Sequence, residues 1–396
     1  MDCTRLPGAP RSGTRGTFVP LFGEVTTVAR SWIVACPPIP ALPAALRRTL
    51  LFGVLALLLF TGCLPYSCRR ESNETLFPSD SLSRRVAQNT PADTLQPGPT
   101  LTGTTENTLA YPRTVRFLPD GGLAASDAKR NSLFLFGPDG PFRREVTDSA
   151  FAVPYLIGVR PADRSQADTL VVFNAESDHV DFVTRAGRHP ARAVTIERPA
   201  PETLVYMLAT DAQLYTKIVG QNTGATLARL DDRGRAVARI DLEGAYWRHA
   251  GFLRAWGDSV LSLSGFRPVV HRLPPDFSDR TRPDSLSLVG FDSPMLERSY
   301  AYAQDDVDKP PLLTPSAAAV GDTLFVLNLR PGWVQIDAYD RSGGLLRRLV
   351  EPHDAGDRNF YPVDLDVRRT DAGYRFAVAV RSPEPRVELF DWHRTP

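Results

Sequence analysis

The chain has 396 residues, of which 42% are hydrophobic, so it can bury a sizeable core. Its 46 basic and 45 acidic residues nearly cancel, which excludes the strong positive charge typical of nucleic-acid-binding domains. The 35 prolines and 28 glycines interrupt the chain, and no long amphipathic helical pattern follows Asn107. The composition therefore predicts an all-β fold.

The first recognisable element is an apolar run from Leu50 to Phe60, preceded by two arginines. It is too short to span a bilayer, and small residues lead from it into Cys63. The sequence Phe60-Thr61-Gly62-Cys63 resembles a lipobox, the processing signal of bacterial lipoproteins. The resemblance implies that residues 1–62 are an upstream extension plus a signal peptide, and that Cys63 carries the lipid. The alternative is a buried or transmembrane apolar segment.

A lipid-anchored chain of this kind is expected in the cell envelope, at the outer membrane facing the periplasm or the exterior. All four cysteines lie at or before Cys68, so the domain that follows must rely on its core instead of disulfides. Residues 63–107 are rich in Ser, Thr, Pro, Asn and charge, which predicts a flexible tether. Within the tether, Pro99–Thr104 is alternatively a strand.

Residues 108–396 contain six copies of an acidic turn followed by an apolar strand. The clearest copy runs from Gly321 to Asn328. The turn aspartates are 43 to 64 residues apart, as expected for propeller blades rather than for helical solenoids. They are Asp120, Asp168, Asp211, Asp258, Asp322 and Asp371. This period predicts a single six-bladed β-propeller.

The last repeat has three predicted strands, Val363–Val367, Tyr374–Val380 and Arg386–Phe390, with no room for a fourth before Pro396. An incomplete blade would leave an open strand edge. The segment around Leu101 is the available donor of a closing strand.

The first repeat carries a family resemblance. Tyr111-Pro112 is followed by Pro119-Asp120-Gly121-Gly122-Leu123, then by Ser126-Asp127 and by the strand Asn131–Phe136. These segments resemble an NHL-type repeat. Together with the lipobox, the chain is similar to the six-bladed β-propeller lipoproteins of Gram-negative bacteria, within the NHL-repeat and TolB-like propeller superfamily. The resemblance implies the fold, with Asp127 and Asn131 bonding the backbone of the loop between strands.

Related six-bladed folds include calcium-dependent lactonases, whose metal ligands are carboxylate and carboxamide oxygens in the tunnel. The comparable positions are Asp127, Asn174 and Asn328, each at the end of a second strand. Asx residues at strand ends also satisfy loop backbone groups, which is the alternative for all three. The segment Arg113–Phe117 offers no tunnel glutamate. The sequence therefore predicts a protein without a cofactor and without catalytic residues. The alternative function is that of a Ca²⁺-dependent, lactonase-type hydrolase that uses the central tunnel.

In a propeller, the connections between blades and those joining second to third strands emerge on one face. Here these loops contain aromatic residues and arginines, the combination typical of binding hot spots. The candidate residues are Trp247, Arg248, Arg267, Tyr302, Arg330 and Trp333. Alternatively, the rings plug the tunnel or pack between blades. The sequence predicts a monomeric binding or scaffolding module whose partner is an envelope protein or saccharide, with no nucleic acid.

Overall fold

Six small β-sheets and an N-terminal segment make up the described part of the chain. The computed structural model describes residues 81–161, 168–187, 193–303, 311–330, 332–352 and 361–393, without the side chains of residues 81, 300, 302 and 303. The N-terminal segment comprises α1 (Ser81–Asn89), β1 (Ala92–Thr94) and β2 (Gln96–Leu101). No helix among the described residues is long and apolar enough to cross a membrane.

The remaining strands follow one another blade by blade. Blades 1 to 3 contain β3 (Pro112–Phe117), β4 (Leu123–Asp127), β5 (Ser132–Phe136), β6 (Phe142–Thr147), β7 (Pro154–Arg160), β8 (Thr169–Asn174), β9 (His179–Thr184), β10 (Ala193–Thr195), β11 (Leu204–Ala209), β12 (Leu214–Gly220), β13 (Gly224–Leu230) and β14 (Ala236–Leu242). Blades 4 to 6 contain β15 (Leu253–Trp256), β16 (Ser259–Leu263), β17 (Val269–Leu273), β18 (Asp284–Ser287), β19 (Ser316–Val320), β20 (Thr323–Arg330), β21 (Trp333–Tyr339), β22 (Leu345–Val350), β23 (Pro362–Thr370), β24 (Gly373–Val380) and β25 (Arg386–His393). A 3₁₀ helix (Tyr246–His249) joins blades 3 and 4, and α2 (Leu296–Ala303) lies between blades 4 and 5.

Each blade is an antiparallel meander in which consecutive strands pair. The first strands of the six blades, β3, β7, β11, β15, β19 and β23, contact one another in a closed ring. They therefore line the axis, and the fourth strands lie at the rim. This arrangement confirms the all-β, six-bladed propeller predicted from the sequence.

The ring is closed by the N-terminal segment. Strand β2 pairs antiparallel with β25, with Leu101 opposite Val387, and so supplies the outer strand of blade 6. Strand β1 pairs parallel with β22 and adds a fifth strand to blade 5. Between the two strands, Leu95 is fully buried and its N–H donates to Val350 O at 2.9 Å. Two open edges are thereby covered.

The predicted tether was too long. Residues 81–101, which fall inside the range 63–107, form α1, β1 and β2. The Ser83 hydroxyl accepts a hydrogen bond from Gly290 N at 2.8 Å, so α1 belongs to the folded domain. The domain thus begins at or before residue 81 rather than at 108, while residues 63–80, with Cys63, lie outside the described residues.

The repeated turns fall at equivalent places in every blade. Each turn aspartate, from Asp120 to Asp371, follows the first strand of its blade and precedes the second. In blade 1, Asp120 Oδ1 accepts from Gly122 N at 2.9 Å, which tightens the turn. Six turns of one kind therefore generate six blades.

Apolar side chains fill the space between adjacent blades. Between blades 5 and 6, for example, Phe325 packs edge-on against Phe376 with ring centroids 5.0 Å apart, and Trp392 lies next to them. Equivalent clusters lie at the other blade junctions. Because this core lies between the blades, the axis is left to polar groups.

Candidate functional site

The two predicted kinds of loop do share one face, which we call the loop face. In five blades, a residue at or just after the end of the second strand donates its N–H to the carbonyl of a residue in the loop that precedes the first strand. The pairs are Ala128 to Tyr111, Ala175 to Val153, Gly265 to Ala250, Leu329 to Leu313 and Arg381 to Tyr361, at 2.7–3.2 Å. Within each of these blades, the bond holds the two kinds of loop side by side.

Of the three candidate metal-binding residues, Asp127 is engaged by backbone. Its Oδ2 accepts from the N–H groups of Ala110 and Tyr111, at 2.5 and 2.9 Å. Its Oδ1 accepts from Lys129 and Arg130, both at 3.0 Å. Four donors saturate the carboxylate and fix the two loops of blade 1, which is the structural role implied by the family resemblance.

Asn174 and Asn328 make similar bonds in blades 2 and 5. Asn174 Oδ1 accepts from Ala152 N at 3.1 Å, and its amide donates to Asp181 at 2.7 Å. The Asn328 amide donates to Asp337 Oδ2 and to Asp292 O, both at 2.7 Å. Each residue therefore serves its own blade. Among the described residues, no three His, Cys, Asp or Glu side chains are grouped as a metal would require.

The tunnel contains an ion network. Asp364 on β23 accepts from Arg116 of β3 at 2.7 Å, from Ser316 of β19 at 2.7 Å, and from Arg254 of β15. Burial alone would raise the pKa of Asp364, but the guanidiniums of Arg116 and Arg254 lower it overall. Four of the six inner strands are therefore linked through one buried carboxylate.

Aromatic rings and arginines surround the tunnel on the loop face. Arg113 Cζ lies 4.4 Å from the ring centroid of Tyr111 and 5.7 Å from that of Tyr155. Arg381 lies 5.3 Å from Tyr111 and 5.0 Å from Tyr361, and it donates to the Tyr111 hydroxyl at 2.8 Å. All five side chains are half-buried. We call them the tunnel-mouth cluster, which offers flat rings beside planar donors.

Three residues of the predicted binding face come together at the junction of blades 3 and 4. Trp247 and Arg248 belong to the 3₁₀ helix, and the guanidinium of Arg248 lies 5.6 Å from the Trp247 ring centroid. Arg267 is exposed on the loop between β16 and β17. Both arginines lie near enough to His249 to affect its charge. This part of the predicted face is therefore contiguous.

The other members of the predicted face are placed differently. Arg330 is only 1% exposed, and it donates to Asp292 O at 2.7 Å, so its guanidinium is not on the surface as predicted. Trp333 is half-buried at the start of β21, directly opposite Arg330. Tyr302 lies in α2, but its side chain is outside the described residues. Arg330 instead fixes the connection before blade 5 against β20.

The sequence did not indicate Lys217, His249 and His271, which complete the junction. Lys217 on β12 is fully buried, and its ammonium donates to Ser262 Oγ at 3.0 Å and to Leu263 O at 2.9 Å. It lies 5.2 Å from the Tyr206 ring centroid, and it has no ion pair among the described residues. The His249 and His271 ring centroids are 5.2 Å apart. We call Lys217, Arg248, His249, Arg267 and His271 the basic junction.

The charges of the basic junction repel one another. Burial lowers the pKa of Lys217 well below its usual value. Burial, His249, Lys217 and Arg267 together lower the pKa of His271 to about 4. Burial and the cations Lys217, Arg267 and Arg248 also lower the pKa of His249, although its bond to the Glu243 carbonyl opposes the shift. Perturbed groups gathered beside a surface are typical of functional sites.

Comparison with known proteins gives no family. No family model matches the chain, and no curated protein sequence matches it significantly. Solved structures do match. Regucalcin, a calcium-binding protein from Agrobacterium tumefaciens, is 11% identical with a TM-score of 0.49, covering 75% of this chain and 95% of that one. Virginiamycin B lyase from Staphylococcus aureus is 11% identical with a TM-score of 0.44, covering 76% and 89%.

A protein from Bacteroides fragilis that is described as exported is 14% identical, with a TM-score of 0.48 and coverage of 82% and 98%. At these identities the likeness concerns the propeller fold alone. Nothing about ligand or activity follows from it for this chain.

Proposed function

We propose that this chain is a lipid-anchored propeller of the cell envelope that acts as a binding or scaffolding module through its loop face. The observation that carries the proposal is the chemistry of that face. The tunnel-mouth cluster and the basic junction bring half-buried aromatic rings together with cations, a combination enriched at binding hot spots.

The two clusters are adjacent. Burial raises the pKa of Tyr206, and the neighbouring Tyr155 hydroxyl adds to the shift. Tyr206 also lies opposite Lys217 across the β11–β12 pair. Tyr155 belongs to the tunnel-mouth cluster and Lys217 to the basic junction, so the contact surface extends from the axis towards blade 4. An anionic patch on an envelope protein or saccharide is the complementary partner.

The anchor is proposed on the sequence alone. The apolar run that ends at Phe60-Thr61-Gly62-Cys63 supports lipidation at Cys63 and residence at the outer membrane. The resemblance to NHL-type propellers is likewise carried only by the residues of the first repeat.

The test is to replace Trp247 and Trp333 by alanine, separately and together, and to capture partners from an envelope extract. We expect the double variant to lose the partner that the parent chain retains, because two such rings contribute on the order of 2 kcal/mol each when buried at an interface. Arg239→Ala, on the exposed rim strand β14, is the control and should retain the partner.

Thermal melts of the same variants decide how the loss is interpreted. A lost partner with an unchanged melting temperature supports a binding face. A melting temperature lowered by many degrees shows that both tryptophans belong to the core, and the proposed face then fails. Retained capture by the double variant also contradicts it.

A further inference from the structure

The apolar layer between blades 3 and 4 is interrupted by a polar row. Ser262, His271 and Ser285 are direct cross-strand partners on β16, β17 and β18, so their side chains lie on one side of the blade 4 sheet. Lys217 of blade 3 donates to Ser262 Oγ, so this is the side that faces blade 3. His271 Nδ1 lies 2.9 Å from Ser285 Oγ. The row thus extends from the buried Lys217 towards the rim.

His249 presents an unpartnered atom to this row. Its Nε2 lies 2.9 Å from the carbonyl oxygen of Glu243 and must donate, because a carbonyl can only accept. In neutral His249 the hydrogen is therefore on Nε2, and Nδ1 carries the lone pair. Nδ1 is buried without a hydrogen-bond partner, and the residue is only 3% exposed. A buried polar atom left in this state is destabilising unless a ligand satisfies it.

The charged and titratable groups around His249 come from four elements. Lys217 lies on β12, Arg248 on the 3₁₀ helix and Arg267 on the β16–β17 loop, and His271 faces it from β17. On β18, Asp284 forms an ion pair with Arg272 of β17. Arg272 follows His271 in the strand and points to the other side of the sheet. Burial and the mutual repulsion of these cations hold the histidines neutral at pH 7.

We propose that the basic junction binds a small molecule through its oxyanion group, a carboxylate or a phosphate. This inference rests on the proposed function and names the ligand chemistry of part of the loop face. The exposed Arg267 and half-buried Arg248 first meet the anion, and the Nδ1 of His249 receives it at depth. The negative charge of the bound anion attracts the cations of the basic junction and offsets their mutual repulsion. The site therefore favours an anion over a neutral or cationic ligand.

Binding must take up a proton. His249 can donate from Nδ1 to an anion only when both ring nitrogens carry hydrogen, whereas the ligand-free ring is neutral. The bound anion raises the pKa of His249, so the affinity is full below the pKa of the free state and is lost as pH rises through the pKa of the complex. For one proton, the affinity falls by up to about tenfold per pH unit in that window.

The experiment uses the full chain in detergent with two probes that are predominantly ionised between pH 5.5 and 7.5, and the affinities are expressed per ionised probe. Sulfate stands for the phosphate source and acetate for the carboxylate source. Isothermal titration calorimetry at constant ionic strength, in two buffers of different ionisation enthalpy, gives the affinity and the protons taken up. We expect one saturable site, about one proton per anion at pH 7, and affinity that falls by tenfold or more between pH 5.5 and 7.5.

Two substitutions test the named residues. His249→Gln keeps a donor for the Glu243 carbonyl but cannot take up a proton, so its affinity should lose its pH dependence. Lys217→Met removes the amino group at similar volume and should weaken binding at least tenfold. The controls are His393→Gln and Lys129→Met, both exposed and in other blades, which should bind like the parent chain.

Saturable binding of either probe with the two expected changes supports the proposal, and the preferred probe identifies the source. No saturable binding of either anion, or unchanged binding in His249→Gln, overturns it. If anion binding fails while partner capture still depends on Trp247 and Trp333, the proposed function survives. If both fail in the parent chain, the proposed function fails too.

Discussion

Replacing Asp364 by asparagine should destabilise the propeller strongly, because it removes the only carboxylate that Arg254 pairs with among the described residues. Asp364 is fully buried and also accepts from Arg116 at 2.7 Å, from Ser316 Oγ at 2.7 Å and from Val115 N at 2.9 Å. Asparagine keeps one acceptor but no charge, so two largely buried guanidiniums lose the carboxylate with which they form ion pairs.

Breaking a buried ion pair by removing one partner costs about 3–5 kcal/mol. At about 2–4 °C per kcal/mol for a domain of this size class, a loss of about 4 kcal/mol lowers the melting temperature by roughly 8–16 °C. The matched control is Asp391→Asn, whose partner Arg375 lies 2.7 Å away but in a pair about one quarter exposed on both sides. That change should cost at most about 1 kcal/mol.

The pH dependence gives a second measurement. The pKa of Asp364 is lowered overall, so its stabilisation is present above the usual carboxyl pKa and is lost as pH falls through the lowered value. Parent and Asp364→Asn melts should therefore converge in strong acid and differ most at neutral pH. Differential scanning fluorimetry from pH 2 to 8 measures the melting temperatures of the parent chain and of Asp364→Asn. Equal, small shifts for Asp364→Asn and Asp391→Asn at pH 7 would refute the reasoning.

Three further outcomes are expected. Burial raises the pKa of Asp337 to about 6, so the stabilisation by its protonated form is present in acid and is lost as pH rises through that value. Measured by urea unfolding between pH 4 and 7, the parent chain should lose on the order of 3 kcal/mol of stability relative to Asp337→Asn. Deleting Gln96–Leu101 should lower the melting temperature far more than deleting residues 70–75, since only the former exposes the edge of β25, and equal melts would contradict this. Cys63→Ser should abolish incorporation of labelled fatty acid, and equal labelling would remove the lipoprotein proposal.

The blade architecture was predictable because it is encoded locally and repeatedly. Each turn aspartate lies beside the strands that it joins, so six independent copies support one reading of the fold. The closing strand was predicted from a different observation. Only three strands follow Tyr361, which leaves the fourth position of the last blade to be filled from elsewhere in the chain. The periodic pattern specifies the blades without reference to any distant contact.

Helix α1 and strand β1 were missed for a physical reason. Strand β1 (Ala92–Thr94) lies at the rim, where it contributes backbone hydrogen bonds more than apolar burial. Only Leu95 enters the core in the segment between β1 and β2. A sequence such as Pro91–Gln96 is polar enough to be typical of a tether, and its pairing with residues about 250 positions later leaves no local pattern.

The candidate site was predicted in part. Trp247, Arg248 and Arg267 could be assigned to one face because blade topology alone decides where their loops emerge. Arg330 was assigned to the same face, but its guanidinium is buried against Asp292, a residue in another loop that the sequence does not place next to it. Lys217 gave one weak signal, a lysine within the strand Leu214–Gly220. Lys217 becomes a candidate site residue only beside His249 and His271, and these three side chains approach one another only when blades 3 and 4 pack together.

The two buried charge clusters differ in a way that separates structure from function. In the tunnel, Arg116 and Arg254 share the carboxylate of Asp364, so the charges compensate one another and join the blades. At the basic junction, Lys217 is buried with neutral acceptors only. Burying an ammonium without a counterion is costly, and burial accordingly lowers the pKa of Lys217 well below its usual value. Lys217 links blade 3 to Ser262 and Leu263 of blade 4 through neutral acceptors, and the anion that we propose for the basic junction supplies the negative charge that these acceptors lack.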